Sequence, residues 1–277
     1  MRFSAKPTFY IAFNEKRTVR ASDYIEHLAS RGFYHFTRKQ AVSKLGGNAQ
    51  AVAAQVRRLK EHGTISEPSR GFLVIVPPEY RKLGCLPAEQ FIPQLMALND
   101  EPYYLGLLSA AQRYGAAHQR PQLTQVIVRK NRSRIECGKV RVDFIARKDL
   151  TEMPVREVNT ARGVVRYSSP EVTALELVGY PKHAGGLSNV ATVLNELIEE
   201  MDTDRLLEAA ELSPVSWSQR LGFLLEQVEQ AELAGALRPF VAAHAKSYSP
   251  LRRSAGRAGR QSPDWKVIVN VDVEPDL

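Results

Sequence analysis

The chain has 277 residues, 44% of them apolar, and carries 38 Lys and Arg against 30 Asp and Glu, a net charge of +8. That is enough for two domains with cores of their own. No run of about 20 apolar residues is present, which excludes a hydrophobic membrane-spanning helix. The two cysteines, Cys85 and Cys137, lie far apart with no Cys or His partner at metal-ligand spacing, so neither a zinc site nor a disulfide is expected.

In chain order, MRFSAKPTFYIAFNEKR is basic and partly apolar, and its run Phe9–Phe13 is too short for the core of a signal peptide. An N-terminal arm or strand packed on the following domain is expected, in a cytoplasmic protein with incidental thiols. Ser22–Ser30 has a capping Ser22 and apolar Tyr24, Ile25 and Leu28 at helical spacing. Thr37–Leu45 follows with a capping Thr37 and an apolar face of Ala41, Val42 and Leu45. After Gly46-Gly47 comes NAQAVAAQVRRLKEHG: Asn48 caps it, Val52, Val56 and Leu59 share one face, and Gly63 stops it. Its other face is thin and basic, with Gln50, Ala54 and Arg57, and Arg58 and Lys60 beside them.

TISEPS and Phe72–Val76 then read as two strands around a turn at Pro68–Gly71, the second apolar on both faces. Helices with a glycine turn followed by a β-hairpin make a winged helix-turn-helix. Residues 1–80 hold 13 Lys and Arg against 6 Asp and Glu, a net of +7, which suits phosphate neutralisation. On this reading Thr37, Arg38 and Lys39 hold phosphates at a helix N-terminus. Asn48, Gln50 and Arg57 face base edges, and Arg58, Lys60 and Arg70, at the wing tip, hold backbone or minor groove.

Residues 81–277 make the second expected domain, and the whole chain is read as α+β: a winged helix-turn-helix, then a mixed domain with a basic antiparallel sheet and a helical block. Helices are expected at Ala88–Leu98 and Tyr104–Tyr114. Residues 118–166 carry 12 basic and 5 acidic residues in short Val-rich runs (TQVIVRK, SRIECG, KVRVDFIARK, VREVN, GVVRYS), read as a mostly antiparallel sheet with one apolar and one basic face. Residues 171–232 reverse to 12 acidic and 3 basic residues. Helices fit there at Ser169–Val178, Leu187–Met201, Thr203–Ala210 and Pro214–Gln230, with Ser169, Ser188, Asp202 and Ser213 as caps. SYSPLRRSAGRAGRQSPDWKV reads as a mobile basic loop, and WKVIVNVDVEPD as a closing strand. The basic surface of sheet and loop suits an acidic partner.

Catalytic constellations are absent from this reading, as are cofactors and metals. GKVRVDF and HAGGLSN lack a phosphate-loop pattern, Ser109 lacks nucleophile-elbow glycines, and His27, His35, His62, His118, His183 and His244 are scattered. Asp143 and Glu157 are the two strand carboxylates a metal-dependent nuclease would use, but no lysine follows Glu157, and pairing with nearby arginines is expected instead.

The segments EPYYLGLLSAAQRYGAAHQRPQ, VVRYSSPEVTALELVGYPKHAGGLSNVATVL, SWSQRLGFLLEQV and WKVIVNV, behind a winged helix, resemble the AbiEi family of type IV antitoxins over residues 22–273. Tyr103–His118 and Gln219–Glu226 (QRLGFLLE) are the most specific parts. The resemblance implies an antitoxin active in phage defence, with an N-terminal domain that binds inverted repeats in its own promoter and represses the operon. It also implies a C-terminal domain that opposes an AbiEii-type nucleotidyltransferase toxin, without requiring a stable complex. Inverted repeats call for two copies on DNA, which monomers in solution can supply by meeting there, and the sequence leaves the oligomeric state open. Positively charged C-terminal surface serves antitoxicity and DNA contact in that family, which here directs attention to Arg129, Lys130, Arg132, Arg134, Lys139, Arg141, Arg252, Arg253 and Arg257. The long 246–264 loop departs from the family picture. Two other readings remain open: a ligand-sensing regulator, and a nuclease tethered by a winged helix.

Overall fold

The computed structural model describes residues 20–116, 123–160 and 162–274. The expected N-terminal arm and His118 lie outside the described residues. The chain divides into two compact units. One comprises residues 1–87 together with the tight turn Cys137–Lys139, and the other holds Ala88–Glu136 and Val140–Leu277. The division at 80/81 read from the sequence did not include that turn.

The first unit has helices α1 (Ala21–Ser30), α2 (Arg38–Leu45) and α3 (Ala49–Glu61) and strands β1 (His35–Thr37), β2 (Ile65–Ser69) and β3 (Phe72–Ile75). The strands form one antiparallel sheet in the order β1-β3-β2. This is the element order of a winged helix-turn-helix. Two caps act as the sequence predicts. Thr37 and Gln40 form a reciprocal capping box at α2, and Asn48 accepts the Ala51 N–H at 2.8 Å. Gly63, at φ +66°, ends α3 with its N–H on the Lys60 carbonyl. Two expectations fail. Arg20, not Ser22, stands at the N-cap of α1, and the Ser22 hydroxyl turns to Asp23. Val42 is 43% exposed, because the short α2 buries only Ala41 and Leu45. Strand β1 was not foreseen: three residues carry no readable period, and their pairing with β3 is tertiary.

The second unit contains α4 (Ile92–Leu98), β4 (Tyr103–Leu105), α5 (Leu107–Arg113), β5 (Thr124–Val128), β6 (Ile135–Cys137), β7 (Val140–Ala146), β8 (Val155–Thr160), β9 (Gly163–Ser168), α6 (Pro170–Gly179), α7 (Leu187–Leu197), α8 (Thr203–Glu211), α9 (Val215–Gln227), α10 (Ala231–His244) and β10–β12 (Ser249–Pro250, Arg260–Ser262, Val267–Val269). Six strands make a sheet in the order β6-β7-β5-β4-β9-β8. It is mixed rather than mostly antiparallel, since β5 runs parallel to β7, and β4 parallel to β9. The cause is β4. Tyr103–Leu105, expected to begin near a helix start, is instead a strand inserted between β5 and β9, and the helix begins only after Gly106.

Helix α6 lies at the centre of this unit, with nine of its ten residues buried. Its Glu176 is wholly buried and gathers the surrounding elements. The carboxylate accepts the Tyr104 hydroxyl at 2.5 Å and Arg147 Nη1 at 2.9 Å. Arg147 donates further to the Leu212 carbonyl and the Ser213 hydroxyl, and its guanidinium lies 5.1 Å from the Trp217 ring centre. Ser213, expected to cap α9, serves Arg147 instead, and Pro214 opens that helix. Gly186, not Ser188, precedes α7. Burial pushes the Glu176 carboxyl up by more than Arg147, Tyr104 and the Leu107 backbone N–H pull it back, so it stands above the ordinary carboxylate range. Burial works against the Arg147 guanidinium, but Glu176 with the Tyr104 and Tyr180 hydroxyls together outweighs it and raises the group.

The segment 246–264 is an ordered module, not a mobile loop. β12 pairs parallel with β10 and antiparallel with β11, and α9 holds the module through the residues of QRLGFLLE. Gln219 donates to the Ser247 and Lys266 carbonyls, and Arg220 to Pro250 and Ser249. Glu226 accepts the Trp265 indole N–H at 2.7 Å. Gly222 lies under Trp265: a Cβ there would stand 2.0 Å from the ring. Helix α10, absent from the sequence reading, packs on α9 and α8.

Two outcomes are expected from urea unfolding. Arg147→Met leaves the Glu176 charge buried without its cation and should cost about 3–5 kcal/mol. Gly222→Ala should cost about 1–3 kcal/mol by overpacking, or more where the ring cannot shift.

Candidate nucleic-acid interface

The first unit presents its basic residues around a single acid. Glu67, in β2, accepts Arg38 through two hydrogen bonds of 3.0 and 2.9 Å, Lys60 Nζ at 2.8 Å and the Gly71 backbone N–H at 2.9 Å. Its side chain is 11% exposed. Burial pushes this carboxyl up, but the hydrogen bonds from Arg38, Lys60 and Gly71 and the Lys60 charge outweigh it and hold the group at about 2. The effect is mechanical as well as electrostatic. The start of α2, the last turn of α3 and the wing turn are tied to one carboxylate, and Arg38 also donates its backbone N–H to the Gly71 carbonyl.

Gln50, Ala53, Arg57 and Lys60 recur along α3 at intervals of three and four, so they share one stripe. Ala53, Val56, Arg57 and Lys60 line a cavity of about 250 Å³ together with Arg38 of α2. Ala53, one turn before Arg57, leaves room beside the helix. Arg57 is three-quarters exposed and makes only a loose pair with Glu61, at 3.7 Å. Lys39, Gln50, Arg58 and Arg70 are exposed, and Arg70 sits at the tip of the β2–β3 turn. Thr37 and Asn48 are partly committed, since their side-chain oxygens cap helices. Arg58 follows Arg57 directly and so projects about 100° around the helix from the stripe. The sequence reading missed Glu67; its one signal is an acid inside a strand, four residues before the turn glycine of a basic domain.

In the second unit the basic residues sort into two groups. Arg132 pairs with Glu101, and Arg134 binds Asp143 through bonds of 2.6 and 3.0 Å. Arg129, Lys130 and Arg141 are exposed, as is Lys139 in the turn of the first unit. In the 246–264 module, Arg252, Arg253, Arg257 and Arg260 are exposed over a frame held by Asn270, which accepts the Arg252 N–H and donates to the Arg252 and Gly256 carbonyls. Beneath them Arg220 is buried, and desolvation with the neighbouring Arg253 charge lowers its guanidinium to about 10.

The carboxylates considered for a nuclease pair with arginines, Asp143 with Arg134 and Glu157 with Arg166 at 3.0 Å. They also lie far apart: β5, β4 and β9 separate their strands, roughly 19 Å at the usual strand spacing. Two-metal sites need carboxylates around ions about 4 Å apart. Among the described residues no group of three or more His, Cys, Asp or Glu is placed to hold a metal ion. A cleft of about 360 Å³ is lined by Pro154, Val155, Arg156, Ser169, Glu171, Arg205 and Glu208, a charged lining unlike the apolar pockets of most small-ligand sites.

Residues 104–227, from β4 to the end of α9, match the family model described as the AbiEi antitoxin C-terminal domain. This segment, a little under half of the chain, is similar to the C-terminal domain of the AbiEi antitoxins. The matched segment contains the whole Glu176 cluster and the QRLGFLLE helix. The AbiEi antitoxins are not an enzyme family. The fold is similar to that of the solved RV2827C protein from Mycobacterium tuberculosis, with a TM-score of 0.64 over 90% of each chain at 16% identity. No curated protein matches the sequence. No helix among the described residues is long and apolar enough to cross a membrane.

Glu67 also sets a pH dependence. Its carboxyl is depressed in the folded unit, so its contribution is complete above the ordinary value of 4.5 and lost as pH falls towards about 2. Thermal melts of wild type and Glu67→Gln across this window should converge at the acid end and separate above about pH 5, with wild type the more stable.

Proposed function

We propose that the chain is a type IV antitoxin that represses its own operon. In this reading the first unit binds inverted repeats in the promoter, and the second counteracts an AbiEii-type nucleotidyltransferase toxin encoded beside it, in the cytoplasm and in phage defence. The observation that carries the DNA half is the stripe of Gln50, Arg57 and Lys60 on α3, set beside Arg38 and presented on a helix thinned by Ala53. A helix of that profile fits a major groove about 12 Å wide. Gln50 suits an adenine edge and Arg57 a guanine edge, while Lys39, at the start of α2, and Arg70, at the wing tip, suit phosphate or minor groove. Arg38 and Lys60, held by Glu67, serve as positioned charges rather than free ones. An inverted repeat brings two copies together on DNA without requiring a dimer in solution.

For the antitoxin half, the exposed Arg129, Lys130, Lys139, Arg141, Arg252, Arg253 and Arg257 are the candidate contacts. Arg132 and Arg134 already have carboxylate partners and are expected to contribute less. Co-expression with the cognate toxin tests this: replacing Arg252, Arg253 and Arg257 by alanine should weaken protection while leaving the fold intact by circular dichroism.

The DNA half is tested by salt-dependent binding to the upstream promoter and to a scrambled duplex. Gln50→Ala should lose roughly 1–3 kcal/mol on the promoter and little on scrambled DNA. Arg70→Ala should weaken both alike and reduce the salt slope by about one. Equal losses for Gln50→Ala on both duplexes would remove Gln50 from the reading face.

A further inference from the structure

The two cysteines were read from sequence as distant and incidental. The fold brings them together inside the first unit. The Lys139 N–H donates to the Leu83 carbonyl at 2.7 Å. A Cβ on Gly138 would stand 2.3 Å from that carbonyl oxygen and 2.8 Å from the Gly84 Cα. The two backbones therefore touch with no side chain between them, and Cys85 and Cys137 flank the contact. Each thiol bears on the proton of the other. Both are free and buried, Cys85 at 0% and Cys137 at 9% exposure.

The surroundings make the two sulfurs unequal. The neighbouring Cys85 thiol lowers the Cys137 thiol against the opposing effect of burial, assisted by the Glu67 backbone N–H and the Lys60 charge. The Cys137 thiol, with burial, pushes Cys85 up. Cys137 is thus the nucleophile of the pair and Cys85 the proton-bearing partner.

We propose that Cys85 and Cys137 are a dithiol couple that hydrogen peroxide closes into an intramolecular disulfide, stapling the segment after the β-hairpin to the 137–139 turn. In the first step the Cys137 thiolate attacks a peroxide oxygen. The S–O bond forms as the O–O bond breaks, and the departing hydroxide takes a proton to become water. In the second, Cys85 sulfur attacks the Cys137 sulfenic acid. The S–S bond forms, the S–O bond breaks, and the oxygen leaves as a second water with the Cys85 proton. The sulfurs together lose two electrons and peroxide gains them; a dithiol reductant reverses the change.

The test uses the reduced full-length chain treated with hydrogen peroxide, quenched in acid, alkylated with iodoacetamide in denaturant and weighed by intact mass spectrometry. No adduct is expected after peroxide, and two after peroxide followed by dithiothreitol. The oxidised form should melt several degrees above the reduced one, because the closed loop constrains the unfolded chain. Cys85→Ser should arrest at a sulfenic acid on Cys137 that dimedone traps, and Cys137→Ser should give no dimedone adduct on Cys85. Two iodoacetamide adducts after peroxide, a disulfide-linked dimer on a non-reducing gel, or oxidation no faster in the folded chain than in urea would each overturn the proposal.

Discussion

A carboxylate sealed from water must find its charge and its hydrogen bonds within the protein, and Glu176 imposes that demand on the whole second unit. It takes a hydroxyl from β4 and a guanidinium from the end of β7. Arg147, held there, reaches on to the loop between α8 and α9 and to the face of Trp217. Sheet, central helix and the corner between α8 and α9 are therefore registered through one ion pair. Such pairs add little net stability over an apolar substitute of equal shape. What Glu176 and Arg147 contribute is position: Oε1 takes both the Tyr104 hydroxyl and the guanidinium, which fixes β4 and the end of β7 against the central helix.

The first unit repeats the device at its surface with a different result. Glu67 sits among basic residues that would otherwise repel one another, and it aligns the first turn of α2, the last turn of α3 and the wing. On the proposed reading, in which this face meets phosphates, order helps as well as charge, since long side chains fixed in advance lose less freedom on binding. The charge removed by Glu67 is small beside the +7 of residues 1–80.

Local signals in the sequence transferred well to the structure. Thr37, Asn48, Ser169 and Asp202 all cap the helices assigned to them, because a cap depends on three or four neighbouring residues. Strands β5 to β9 were legible for the same reason, each being a short run with Val or Ile between turns. What was hidden is what long-range contact decides. β1 and β4 are three residues each and exist through their partners in the sheet. Arg220 and Gln219 looked like the polar side of a helix but are buried under backbone carbonyls from residues 247–266. The arginines at 252–260 suggested a mobile loop, and it was the side chains beneath them that gave the segment its order. Glu67 and the cysteine pair share this character, since neither has a partner within its own element.

Helix α9 also has a consequence for synthesis. Gln219, Arg220, Gly222 and Glu226 lie within the segment shared with the AbiEi antitoxins, yet the carbonyls, hydroxyl and indole that satisfy them come from residues 247–266. A nascent chain that has emerged only as far as α9 holds a buried-type arginine and an unfilled notch at Gly222 with nothing to cover them. The second unit therefore reaches its final form only when residues 247–266 have emerged, after the helices and hairpin of the first unit have left the ribosome.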